Sequence, residues 1–65
     1  MSIGDNIENT RKIKNITQVE LANAVGITPS MLCQLERGTK VLSVPLGKKI
    51  ASYLGVPFSE LIDEG

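Results

Sequence analysis

Apolar residues along the 65-residue chain recur three and four positions apart in short bursts and do not alternate with polar ones. Each burst therefore reads as one face of a helix rather than as a strand. Ile3, Ile7, Thr10, Arg11 and Lys14 share one stripe, and Asn15 suits the left-handed position that ends a helix, which sets a first helix over residues 3–14. Ile16-Thr17-Gln18-Val19-Glu20-Leu21 is a strong helix start. Thr17 can accept from the amide of Glu20, Glu20 can reach back to Thr17, and Ile16 can staple to Leu21. The second helix spans 18–25 and stops at Gly26, because glycine takes the left-handed turn without a Cβ penalty.

The next start repeats the device. Thr28 is placed to cap, Pro29 stands at the first helical position where no amide is needed, and Ile27 can pack on Leu32, giving a third helix over 29–37 closed by Gly38. Helices separated only by Gly26, Ile27 and Thr28 must turn sharply against each other, burying Leu21, Ala22, Val25, Ile27, Leu32 and Leu35 between them. Ser43 can cap a fourth helix over 44–54, whose Leu46, Ile50, Ala51, Tyr53 and Leu54 supply an apolar side, and Pro57 opens a fifth to residue 62, with Phe58, Leu61 and Ile62 completing the core. With no repeat, linker or low-complexity tract, the expectation is one all-α domain of five helices spanning residues 1–65.

Composition narrows the function. Cys33 is the one cysteine and histidine is absent, so neither an intrachain disulfide nor the usual zinc ligand sets can be assembled. A phosphate-binding glycine loop and a nucleophile beside a base are also missing, which sets enzymes aside. No cofactor or small-molecule ligand is evident. No apolar run approaches the roughly 18 residues of a membrane span, and Met1-Ser2-Ile3-Gly4-Asp5 is unlike a signal peptide. A reduced cytoplasm is the expected compartment. Net charge is zero, but its distribution is uneven: residues 9–59 carry all seven basic residues against Glu20 and Glu36 alone, while Asp5, Glu8, Glu60, Asp63 and Glu64 sit at the ends. These charges suit either a polyanionic partner or simple solubility until a fold places them.

Gln18-Val19-Glu20-Leu21-Ala22, Val25-Gly26-Ile27-Thr28, Leu32, Leu35-Glu36-Arg37-Gly38 and Ile50-Ala51-Tyr53-Leu54-Gly55-Val56 together resemble the helix-turn-helix domain of the phage repressor and Cro family, also called the XRE family. The resemblance covers about residues 3–62. It implies a compact lambda-repressor-like domain, bacterial or phage-encoded, in which helices 2 and 3 form the helix-turn-helix and helix 3 enters the major groove of double-stranded DNA. The implied function is sequence-specific transcriptional repression by a homodimer on a palindromic operator. The same fold used against another protein, as an antirepressor or assembly partner, is the competing reading, supported by the neutral total charge and the weak Pro29-Ser30 pair.

The resemblance also implies roles for particular residues. Thr28, Pro29, Ser30, Cys33 and Gln34 would face bases, with Gln34 best suited to pair with adenine N6 and N7. Many family members carry Gln or Arg where this chain has Pro29 and Ser30. Gln18, at the start of helix 2, would bind a phosphate with its amide and side chain, and Arg37, Lys40 and the loop through Ser43 would hold phosphates across the groove, helped by Lys12, Lys14 and Lys49. Without the resemblance, a solvated polar face is the reading these residues favour. Arg11 and Glu36 would form a partly buried ion pair. Cys33 is either a redox-sensitive thiol or an unreactive surface one, and Tyr53 and Phe58 read as core. Gly47 departs from the family's bulky core residue and should loosen the fourth helix by about 1 kcal/mol relative to alanine. Val41 and Leu42, apolar in a loop, suggest a dimer patch with Val44, Phe58 or Leu61; packing of that loop on the fourth helix fits them equally.

Overall fold

The computed structural model describes residues 2–62; Asp63 and Glu64 of the acidic C-terminal end lie outside them. Five helices follow one another: α1 (Ile3–Ile13), α2 (Gln18–Val25), α3 (Pro29–Arg37), α4 (Val44–Leu54) and α5 (Phe58–Ile62). The expected boundaries shift at two places. Lys14 has already left the helical ladder (φ −91°, ψ 4°) and acts as the cap of α1. Pro57 precedes α5 as a flanking residue, its carbonyl accepting from the Glu60 amide in a tight three-residue turn.

Local chemistry accounts for the starts. Thr17, Thr28 and Ser43 each have extended backbone and accept, through the side-chain oxygen, from the amide three residues on: Glu20, Met31 and Leu46. The first helix has a full reciprocal box, in which Ser2 Oγ accepts from the Asp5 amide (3.2 Å) and Asp5 Oδ2 from the Ser2 amide (3.3 Å). This Ser-x-x-Asp box is a signal readable in the chain itself. The reciprocal bond expected at Thr17 is replaced, because the Glu20 carboxylate turns instead to Tyr53.

The ends share one pattern. Residues Asn15, Gly26, Gly38 and Gly55 all have left-handed backbone, and after each the next amide reaches back five residues: Ile16 to Arg11, Ile27 to Ala22, Thr39 to Gln34 and Val56 to Ala51. Such closure satisfies carbonyls that a helix end would otherwise leave open and redirects the chain sharply.

Those turns fold the helices around one core of Ile7, Leu21, Ala22, Val25, Leu32, Ile50, Ala51, Leu54 and Leu61, with Ile16, Ile27, Leu42, Leu46, Val56 and Phe58 packed against it. Each fully buried leucine or isoleucine contributes about 1.5–3 kcal/mol over exposure. In the centre, α2 packs on α3 and α4, while α1 contacts α3, α4 and α5. The side-chain amide of Asn6 also donates to the Leu61 carbonyl at 3.0 Å, tying α1 to α5.

Two glycines set close approaches. A Cβ on Gly4 would stand 2.5 Å from the backbone carbonyl oxygens of both Leu35 and Glu36, so α1 lies directly on the last turn of α3. Gly47 is buried, and the space where a side chain would sit is taken by the Phe58 ring and Leu42. The absent family side chain is thus replaced by groups from elsewhere in the chain. Tyr53 is not a core residue: it is 43% exposed, because it lies on the α4 face turned toward Glu20.

Candidate nucleic-acid interface

The sharp turn at Gly26 leaves α3 with one buried face, Leu32, Leu35 and Glu36, and one outward face. Ser30, Gln34 and Arg37 are exposed and Cys33 is half-buried. Their spacing of three and four residues puts all four on one stripe. Thr28 and Pro29 are exposed at its N-terminal end. The structure therefore brings the sequence-expected base-facing residues to one edge, although the Thr28 hydroxyl oxygen already serves as the cap of α3 (3.1 Å to the Met31 amide).

Exposed basic residues lie on α3 and in the segment that follows it. Arg37 and Lys40 are exposed, and neither carries an ion pair among the described residues. Lys40 also borders an open groove of about 440 Å³ with Ser2, Val41 and Ile62. Ser43 is exposed, its Oγ accepting from the Leu46 amide as a helix cap while its O–H remains a donor. Lys14 and Lys49 are exposed, whereas Lys12 is paired with Glu8 at 3.2 Å on its own helix.

Arg11 and Glu36 do form an ion pair, at 2.8 Å, and it is buried rather than partly so: the two residues are 7% and 5% exposed. Gln18 departs from its expected orientation. Its Nε2 donates to Glu36 Oε1 at 2.9 Å, so the side chain is held inside a network and is not free at the surface. Of the first α2 amides, that of Glu20 is taken by the Thr17 side chain and that of Leu21 by the Thr17 carbonyl.

Sequence reading missed a link between α2 and α4, in which the Tyr53 hydroxyl donates to Glu20 Oε2 at 2.9 Å. This hydrogen bond, with some desolvation and the negative charge of Glu20, pushes the phenol above its ordinary pKa of 10.0. No local signal pairs residues so far apart in the chain. Of the two roles expected of Leu61 the core one holds and the dimer-patch one falls, since α5 directs it inward and buries it fully, whereas Ile62, expected in the core, is 43% exposed. Phe58 and Leu42 are half-buried against the core and around Gly47. Val41 is 91% exposed and Val44 is 56% exposed. Among the described residues no helix is long and apolar enough to cross a membrane.

Comparison with known proteins places this geometry. The helix-turn-helix family matches residues 7–61. The antitoxin PezA of Streptococcus pneumoniae serotype 4 is 36% identical over 62 residues, covering 95% of this chain and 39% of the antitoxin. The immunity repressor of Bacillus phage phi105 is 31% identical over 64 residues, 98% of this chain and 44% of the repressor. The chain thus spans less than half the length of these two relatives. Among solved structures, SinR, a master regulator for biofilm formation in complex with DNA, superposes with a TM-score of 0.87 at 32% identity, covering 94% of this chain and 98% of that one.

Proposed function

This chain belongs to the helix-turn-helix family, and from that premise we propose that it is a sequence-specific double-stranded DNA-binding transcriptional regulator, a repressor, reading the major groove with α3. One observation carries the reading: Ser30, Cys33, Gln34 and Arg37 share one outward stripe of a helix whose opposite side is locked into the core. A rigid helix with donors and acceptors aligned along one edge can meet base edges in register. The phi105 relative is named an immunity repressor and SinR is solved with DNA, which supports the same direction.

Within this reading Gln34, with Ser30, Cys33, Thr28 and Pro29 around it, specifies sequence. Arg37, Lys40, Ser43 and the start of α2 at Gln18 hold the phosphates that position it. The unit that binds is the whole domain, residues 1–65, working in a bacterial cytoplasm. It acts as a homodimer on a palindromic site, with recognition helices about 34 Å apart. Of the residues expected to form the dimer patch, Val41 and Val44 are the exposed ones, since Leu42, Phe58 and Leu61 are engaged in the monomer.

Selection of bound duplexes from a random pool tests the proposal. Enrichment of a two-fold symmetric sequence with half-sites one helical turn apart is expected. Sedimentation of the complex should then give two protomers per site, reduced by Val41→Lys. A pool that stays random after repeated rounds would reject the function, and an asymmetric product bound by one protomer would reject the dimer.

A further inference from the structure

Glu36 lies on the last turn of α3, beside the exposed Arg37, yet its carboxylate is turned into the protein. Oε2 accepts from Arg11 Nε at 2.8 Å, and Oε1 accepts from Arg11 Nη2 at 3.2 Å and from Gln18 Nε2 at 2.9 Å. Arg11 Nη1 donates to the carbonyl of Ile16 at 2.9 Å, in the loop that leads into α2. One carboxylate thereby joins α1, the loop before α2, the first residue of α2 and the last turn of α3. No buried side-chain nitrogen or oxygen among the described residues is left without a partner.

The pairing of Arg11 with Glu36 does not require Gln18. What the third bond does is immobilise a long, half-buried side chain at the helix end where the phosphate contact was placed above. A primary amide carries two N–H donors. Glu36 takes one, which fixes the direction of the other and removes rotamer freedom that a phosphate would otherwise have to freeze on binding. Arg11 neutralises the carboxylate, so a phosphate arriving at α2 does not meet an uncompensated negative charge.

We propose that Glu36 is a positioning residue for the DNA contact: it holds one N–H of Gln18 so that the second is presented, already oriented, to a backbone phosphate. Because Glu36 belongs to α3, the same bond keeps the phosphate grip at α2 in register with the base-reading stripe. The inference rests on the DNA-binding reading given above.

The test uses side-chain amide resonances of Gln18 in 15N-labelled protein, titrated with a duplex recovered from the random pool. In the free protein one proton should exchange slowly, held by Glu36. On binding, the second should shift while the first stays protected. In parallel, Gln18→Ala should weaken duplex affinity roughly tenfold, as expected for a bond to a charged acceptor, without changing the salt slope, because a neutral donor releases no counterion. A paired replacement, Arg11→Met with Glu36→Leu, removes both ions and strands no charge, so the fold can persist. It should lose part of that factor, the share due to positioning, and Gln18→Ala should then cost correspondingly less than in the wild type. Salt-dependent duplex binding with an unmoved second proton, release of the first proton on binding, or full affinity in a folded paired variant would overturn the positioning role and leave the DNA reading intact. Absence of any duplex binding would overturn both. Should the paired variant not fold, the resonances of the unaltered protein decide.

Discussion

A methyl group on Gly47 would stand 2.6 Å from Cε1 of Phe58, so the ring of one residue occupies the place of the other's missing side chain. Two effects compete in Gly47→Ala. Helix propensity favours alanine by about 1 kcal/mol, and overpacking a filled core costs about 1–3 kcal/mol. The clash wins, because Leu42 closes the site from another side at 3.3 Å. The variant should melt below the wild type, by several degrees at about 4–8 °C per kcal/mol for a domain this size. Gly4→Ala should be worse, since its neighbours at 2.5 Å are backbone carbonyls that cannot rotate away. Thermal melts of both variants check the ranking.

Glu36→Ala should destabilise the fold by about 3–5 kcal/mol, because it leaves the Arg11 guanidinium buried without its counter-ion. Glu60 is exposed, so Glu60→Ala should stay within about 0.5 kcal/mol of the wild type. Urea denaturation of the two side by side reads the difference, and equal midpoints would remove the ion pair from its structural role.

Tyr53 is the one tyrosine and the chain has no tryptophan, so ultraviolet absorbance follows its ionisation without interference. Its midpoint should lie above 10.0 and fall toward that value in Glu20→Gln, which removes the carboxylate that holds the phenolic proton. A phenol whose pKa is raised by folding stabilises the fold below its unfolded pKa, and that contribution disappears as pH rises through the folded value. The α2–α4 link is therefore intact at neutral pH and lost only in strong alkali.

Gln34→Ala should change preference at one or two base positions of the selected site, at about 1–3 kcal/mol for a bidentate contact. Competition with single-base variants measures it. Equal loss on every variant would mean that Gln34 does not read bases.

How much was legible in the chain divides by distance along it. Helix starts at Thr17, Thr28 and Ser43, and ends at Asn15, Gly26, Gly38 and Gly55, depend on residues within one turn, and periodicity plus capping chemistry located them to within a residue. The outward placement of Ser30, Gln34 and Arg37 followed from the same periodicity once α2 and α3 were joined by a tight turn. What escaped depends on contacts between distant segments. Nothing near Gly4 announces the carbonyls of α3, nothing near Glu20 points to Tyr53, and Gln18 turned inward because Glu36 offers it a charged acceptor. Leu61 was left between core and dimer patch, and Ile62 was misplaced in the core, for the same reason: whether an apolar residue faces the core or solvent depends on how α5 packs on α1 and α4, which no short window contains.

The salt dependence of duplex affinity tests most directly whether this domain grips DNA. Phosphates held by cations release counterions, so the logarithm of affinity falls linearly with that of salt, by about 0.9 per contact. Arg37 and Lys40 are exposed and unpaired by any carboxylate among the described residues. Arg37→Ala and Lys40→Ala should each flatten the slope by about 1 and weaken all duplexes alike. A steep wild-type slope with flatter mutants is the expected result. Affinity that ignores salt, or mutant slopes parallel to the wild type, would contradict it and favour a protein as the partner of this face.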